Sequence, residues 1–332
     1  IMHDDVYYSK QNAGETAVEG IWMKKVFIDG SAGTTGLRIF DRLRGRTDIQ
    51  LLTLPESERK LEASRKRMLN AADVVFLCLP DDAAREAASW VENPDTVVLD
   101  TSTAHRTESG WCYGFPELSP VQEARLRQAK RIAVPGCHAS GFIALVYPLV
   151  SAGLLASDVL LSCYSLTGYS GGGKKMIAEY RAPERSALLN APRQYALGQT
   201  HKHLKEMKAI TGLANEPVFC PVVADFYSGM QVTVPLFDDW LKPGTGMEDV
   251  KNAYKALYTG PVVSYTDAAE AGGFLSAAVQ TGLDSMKITV AGNEQRMLLL
   301  AVYDNLGKGA SGAAVECMNL VTGAEKTLGL EL

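Results

Sequence analysis

The chain has 332 residues, enough for two domains of ordinary size, and its 46% apolar and 21% charged composition allows a large buried core. A formal net charge of −5 leaves no basic stripe to neutralise phosphates, which excludes nucleic acid as the main partner. The longest apolar run, residues 141–150, is interrupted by Pro148 and falls short of the ~20 residues a bilayer span needs, so no membrane role is expected. In chain order, residues 1–22 lack the apolar core of a signal peptide. Met23-Lys24-Lys25 ahead of a strand-like run looks like a start, and 1–22 is set apart as a leader or appended segment. Short apolar runs follow at 25–29, 51–54, 74–79 and 97–99. An amphipathic stretch at 37–43 and an alanine-rich helical pattern at 81–91 lie between them. Strands alternating with helices predict an α/β chain with an N-terminal, doubly wound Rossmann-type domain. A fifth run, 132–134, leads into Pro135-Gly136-Cys137. After about residue 155 the runs 159–166, 218–223, 231–236, 287–290 and 297–303 come without a helix between each pair. They predict a mainly antiparallel α+β catalytic or dimerisation domain, with its chief helix at 248–258. The chain closes on a small-residue helix at 309–320.

The six cysteines, Cys78, Cys112, Cys137, Cys163, Cys220 and Cys317, show neither Cys-x-x-Cys nor zinc-like spacing, which points to a reducing, cytoplasmic compartment and no metal site. Gly30-Ser31-Ala32-Gly33-Thr34-Thr35-Gly36 follows a strand and opens a helix. Its glycines allow a tight turn and close backbone approach to a pyrophosphate, whose charge the free N–H groups of the helix start would meet. The competing reading is a plain strand-to-helix turn. After the second run the chain reads Glu56-Ser57-Glu58-Arg59-Lys60; Ser57, Arg59 and Lys60 favour the 2′-phosphate of NADP, whereas Glu56 keeps NAD open. Pro80, after the third run, is placed at the cofactor as well.

Cys137 stands at a strand end, just before an apolar helical stretch starting near Ser140, where ligands of a doubly wound sheet collect. A helix N-terminus favours a thiolate, so Cys137 is the candidate nucleophile, against the alternative of a buried structural cysteine. Imidazole is the usual acid–base group near neutral pH. His201 and His203, flanking Lys202, are the chief candidates; metal ligation and a plain helix-capping pair are the alternatives. His138 and His105 stand behind them.

Four motifs now resemble a known family. They are the GSAGTTG loop, Pro135-Gly136-Cys137, His201-x-His203-x-x-Glu206, and Asp304-Asn305-Leu306-Gly307-Lys308-Gly309-Ala310-Ser311-Gly312. In this order they resemble the shorter branch of the N-acetyl-gamma-glutamyl-phosphate reductases, within the aspartate-semialdehyde dehydrogenase-like superfamily. Where the longer branch continues Pro-Gly-Cys with Tyr-Pro-Thr, this chain has His138-Ala139-Ser140, and its glycine loop 167–174 is similar to the family's without being identical.

The resemblance implies NADPH-dependent reduction of N-acetyl-glutamyl phosphate to the semialdehyde, a step of arginine biosynthesis, through a thioester on Cys137 with a protonated imidazole of His201 or His203 assisting. It implies Asn305, Lys308 and Gly309 near the nicotinamide. Ser102, His105, Arg106, Gly171, Lys174 and Glu206 are the expected substrate contacts. The domains expected are 23–137 for NADP, completed by 308–332, and 138–307 for catalysis, in a homodimer or homotetramer. Two rivals are an aspartate-semialdehyde dehydrogenase, of the same fold and mechanism, and a non-catalytic dinucleotide sensor with an inert cysteine.

Overall fold

Short apolar segments form the middle of a six-stranded parallel sheet, where runs such as VVFL and VVLD are buried on both faces. The computed structural model describes residues 23–267 and 271–332, so the segment 1–22 lies outside the described residues. The first domain runs β1 (Lys24–Asp29), α1 (Thr34–Leu43), β2 (Ile49–Leu52), α2 (Glu62–Ala71), β3 (Val74–Leu77), α3 (Asp81–Ser89), β4 (Val97–Asp100), β5 (Cys112–Tyr113), α4 (Pro120–Arg127) and β6 (Arg131–Ala133). The strand order is β2-β1-β3-β4-β6-β5, every pair parallel. Side chains alternate between two cores, as the strand period of two demands. Val26, Ile28, Phe76 and Leu99 meet Ile39 and Leu43 of α1 on one face, whereas Phe27, Val75, Leu77 and Val98 meet Leu69 of α2 and Ala87 of α3 on the other.

The second domain contains α5 (Cys137–Ser151), β7 (Ser162–Gly168), α6 (Gly173–Arg181), β8 (Arg193–Gln194), α7 (His203–Thr211), β9 (Val218–Ala224), β10 (Met230–Phe237), α8 (Met247–Leu257), β11 (Val263–Tyr265), β12 (Met286–Asn293) and β13 (Arg296–Tyr303). Its sheet, β11-β12-β13-β10-β7-β9-β8, is antiparallel except where β7 pairs with β9 and β11 with β12. Phe142, Ile143, Leu145, Val146 and Leu149 of α5 form the centre of this core, against Val232 and Val234 of β10 and Leu299 of β13. The other sheet face is open, with Tyr164, Val218, Phe237 and Leu298 exposed.

Pro148 does not end α5, which starts at Cys137 rather than near Ser140 and continues through the proline to Ser151. A proline inside a helix leaves the carbonyl four residues earlier without its donor. Here the Ala144 carbonyl takes the Tyr258 hydroxyl instead, at 2.7 Å, and the Leu145 carbonyl takes that of Tyr254 at 2.5 Å.

After β13 a π turn at Gly307–Ser311 leads to α9 (Gly312–Thr322). Ala313, Ala314, Val315, Cys317, Met318 and Leu320 pack into the nucleotide-domain core beside Val26 and Phe76. Arg42 of α1 reaches Asp284 at 2.8 Å, and Arg38 and Arg42 both donate to the Gly282 carbonyl at 3.0 Å, tying the loop-bearing helix of the first domain to the second.

Candidate active site

The glycine loop after β1 has the shape its spacing predicts. Gly30 adopts φ +86°, and a Cβ there would collide with the Cys78 carbonyl. A Cβ on Gly36 would lie 2.6 Å from the Gly30 carbonyl oxygen, and the Gly33 N–H donates to that same oxygen at 2.9 Å. The loop is therefore wound too tightly for a side chain at Gly30 or Gly36, and it delivers Thr34 and Thr35 as the first residues of α1. Gly30 and Ser31 line a cavity of about 1160 Å³ that continues past the end of β2 to Glu56, Arg59 and Lys60, with Lys174 reaching it from the second domain. Ser57 is exposed and outside that lining, and Pro80, the residue before α3, lines neither this cavity nor the catalytic cleft. Asp29, the carboxylate at the end of β1, is paired by both Nε and Nη2 of Arg65.

Thr34 and Thr35 also border a second cleft of about 360 Å³, lined by Cys137, His138, His201, Lys202, His203, Tyr195, Arg106, Gly171, Asn305 and Gly309 among others. Cys137 is the first residue of α5. Gly136 before it is hemmed in by Arg106, His203 and Glu206, so any side chain there would displace all three. Tyr303 enters the first turn of α5: its hydroxyl donates to the Cys137 carbonyl at 2.5 Å and accepts from the Gly141 N–H at 3.0 Å. That insertion needs the glycine, since a Cβ at Gly141 would lie 2.7 Å from the Tyr303 oxygen. Gly309, from the turn after β13, packs on the Cys137 Cβ.

Burial outweighs the helix dipole at Cys137. The Cys137 thiol is pushed up to about 11 by desolvation, although Arg106 and the backbone N–H groups of His138 and Cys137 pull the other way. The imidazoles rest neutral as well. Burial brings His138 down to about 3 and His201 to about 4, where Lys202 and Arg106 add to the effect. His203 is held well below its ordinary value by burial and then by Arg106. The resting site therefore has a neutral thiol facing neutral imidazoles.

His138 is fixed at both ends, its Nδ1 2.6 Å from Ser165 Oγ and its Nε2 2.6 Å from the Tyr195 hydroxyl. His201 Nδ1 accepts the His203 backbone N–H at 3.2 Å, which places the His201 proton on Nε2. His203 Nδ1 is buried with no hydrogen-bond partner among the described residues, and the two rings lie 4.6 Å apart. The segment carrying them is wound through left-handed backbone at Ala196 and Gln199, with φ of 51° and 53°. The Gln199 amide holds it by pairing with the backbone N–H and carbonyl of Phe219, both at 2.8 Å.

Several of the expected contact residues have protein partners of their own. Glu206 is buried under Gly136, where it accepts from Arg106 Nη1 at 2.7 Å, from the Tyr113 hydroxyl at 2.9 Å and from the Gly136 N–H at 3.2 Å. Arg106 borders the cleft, but it also donates to the Val134 and Thr101 carbonyls. Ser102 and His105 hydrogen-bond Asp100 at 2.7 Å and do not line the cleft; His105 stacks on Trp111. Asn305 reaches the cleft while its amide bridges Ser170 and the Gly229 N–H. Lys308 turns away from it altogether, buried between Glu117, at 2.7 Å, and Glu316. Lys174 lies at the nucleotide cavity rather than the catalytic cleft. Sequence reasoning missed Tyr195, Ser165 and Tyr303, because a tyrosine or serine in a strand-like run carries no local sign of the site it will meet.

Two family profiles match the chain: "Semialdehyde dehydrogenase, NAD binding domain" over residues 25–126 and "Semialdehyde dehydrogenase, dimerisation domain" over 137–305. A protein of Trichormus variabilis named N-acetyl-gamma-glutamyl-phosphate reductase is 43% identical over 318 residues, 92% of this chain and 99% of its own length. Reductases of the same name from Rhizobium etli and Chelativorans sp. are 44% and 45% identical over 304 residues, 90% of this chain and 98% and 97% of their own. Among solved structures, aspartate semialdehyde dehydrogenase II of Vibrio cholerae superposes with a TM-score of 0.70 at 16% identity, covering 91% of this chain and 98% of its own. The enzyme of Candida albicans, solved with NADP, gives 0.63 at 16%, covering 92% and 99%. At those identities the likeness is one of fold.

Proposed function

The chain belongs to the N-acetyl-gamma-glutamyl-phosphate reductases of the semialdehyde dehydrogenase family, and from that premise we propose that it reduces N-acetyl-glutamyl phosphate to its semialdehyde with NADPH, in arginine biosynthesis, through a thioester on Cys137. One observation carries the reading: a cleft that joins a helix-start cysteine, three neutral imidazoles and two cations, with no carboxylate among the described residues lining it. Aspartyl phosphate presents a free ammonium and would call for an acidic partner. The acetylated glutamyl compound hides that charge in an amide, and a cleft without carboxylates suits it.

The nucleotide cavity fits NADPH. The glycine-wound turn 30–36 and the start of α1 would hold the pyrophosphate, and Arg59 and Lys60 the 2′-phosphate. Bound there, NADPH supplies the hydride that takes the thioester to the aldehyde. The residues of the chain do the rest. The neutral His203 imidazole, whose Nδ1 has no hydrogen-bond partner among the described residues, takes the Cys137 proton; the sulfur attacks the carbonyl carbon, and the carbon–oxygen bond to phosphate breaks. His201 Nε2–H, without a protein partner among the described residues, is suited to donate to the oxyanion, as are the backbone N–H groups opening α5.

A division at Cys137, with 308–332 returning to the nucleotide domain, belongs to the same reading, and the packing of α9 supports it. The open face of the seven-stranded sheet supports a homodimer or homotetramer, and six free cysteines support a cytoplasmic setting. The test is the reverse reaction, in which phosphate and NADP are supplied with each semialdehyde in turn. N-acetyl-glutamate semialdehyde should give a kcat/KM about 10²-fold or more above aspartate semialdehyde. Equal values, or the opposite order, would assign the superfamily correctly and the branch wrongly.

A further inference from the structure

An acyl phosphate brings a phosphoryl dianion and a carboxylate into the catalytic cleft, and buried anions need hydrogen-bonded cations. The cleft is lined by two, Arg106 and Lys202. Arg106 is already engaged. Its charge is balanced by Glu206 at 2.7 Å, and three of its five N–H donors are directed at Glu206, Val134 and Thr101.

Lys202 differs in every respect. It is exposed, and among the described residues it has no hydrogen bond and no ion pair. The nearby carboxylate whose charge responds to it, Asp81, is held by Thr103, whose backbone N–H donates to it at 3.0 Å. Nor does local structure explain a cation at this position. Lys202 immediately precedes the first residue of α7, at the positive end of the helix dipole, where a lysine is unfavourable. Histidines stand on both sides of it.

We propose that Lys202 holds the phosphoryl group of the acyl phosphate and then the departing phosphate. This rests on the acyl-phosphate reading above. A lysine is a compact charge with three donors on a flexible stem, able to follow a tetrahedral dianion as it leaves. The substrate carboxylate, planar and singly charged, has no need of a mobile charge and is left to the other polar groups of the same cleft. The geometry also links binding to activation. The charge of Lys202 is one reason His201 and His203 stay unprotonated, so a phosphoryl dianion resting on it removes that opposition as the Cys137 proton needs an acceptor.

The experiment measures the reverse reaction with Lys202→Met, Lys202→Arg and, as a control on the same helix, Lys205→Met. Lys202→Met should raise the KM for inorganic phosphate about tenfold to a hundredfold, with the KM values for semialdehyde and NADP changed less than about twofold. Lys202→Arg should recover most of that loss, and Lys205→Met should behave as wild type. Inorganic phosphate should raise the melting temperature of wild type but not of Lys202→Met, a readout independent of turnover. An unchanged phosphate KM, or a rise in the semialdehyde KM instead, would overturn the proposal, the second outcome assigning Lys202 to the carboxylate. A wild-type enzyme that reduces NADP without phosphate would overturn the acyl-phosphate reading itself.

Discussion

Gly136→Ala is the most informative single change, because one methyl group tests the whole arrangement around the nucleophile. A Cβ at this position would stand 2.5 Å from Glu206 Oε1 and from His203 Nε2, and closer still to Arg106 Nη1. Ordinary contact begins at 3.4 Å, so each of the three groups must retreat by roughly an ångström. None can do so freely: Arg106 and Glu206 are buried and bonded to each other, to Tyr113 and to two backbone carbonyls, and His203 is packed behind them. Overpacking of a bonded interior costs about 1–3 kcal/mol, read as a lower urea midpoint with an unchanged m-value. A misplacement of this size at reacting groups costs about 10²-fold in turnover, so kcat should fall by at least that factor. Gly45→Ala is the matched control, since nothing lies within 4 Å of its Cβ and its φ is ordinary; stability there should hold or rise by about 0.4–1 kcal/mol. Wild-type kcat in folded Gly136→Ala would refute the reasoning, because it would mean that His203, Arg106 and Glu206 can move aside without consequence.

Three further outcomes are expected. Since burial holds the Cys137 thiol in its neutral form up to about pH 11, alkylation of the free enzyme by iodoacetamide should rise about tenfold per pH unit from 7 to 10. A plateau near pH 8.5 would show that the helix dipole, not burial, governs the sulfur. Arg59→Ala with Lys60→Ala should weaken NADPH binding by roughly 1.5–3 kcal/mol per lost charged hydrogen bond and leave NADH nearly unaffected, as titrated by fluorescence. Equal losses for both cofactors would point to Glu56 and the ribose instead. Lys308→Met should destabilise the fold by about 3–5 kcal/mol in urea, because it leaves Glu117 and Glu316 buried with only Lys326 between them. Unchanged stability with lost NADPH affinity would instead return Lys308 to the cofactor.

The local features of this protein are those the amino-acid order determines without help. A turn that must reach φ +86° and pass under a carbonyl can only be glycine, so Gly30 and Gly36 announce the nucleotide loop. The double burial of VVFL and VVLD announces a parallel sheet, and Pro135-Gly136-Cys137 announces a cysteine at a helix start. Elements without a strong local signature stayed hidden: α2 is almost wholly polar apart from Met68, Leu69 and its alanines, and β5 is two residues long. What each charged side chain meets was decided only by the tertiary structure. Arg106 faces Glu206 across 100 residues, and Lys308 faces Glu117 across 191; neither spacing leaves a periodic trace, so both read as ligand contacts in the sequence, whereas in the fold Lys308 is enclosed by carboxylates and Arg106 pairs with Glu206 while still bordering the cleft. Protonation follows the same division. Residue type sets the ordinary titration range of a thiol or an imidazole, but desolvation depends on everything packed around it. That is why Cys137 and the three cleft histidines rest neutral, although the helix-start position of Cys137 by itself favoured a thiolate.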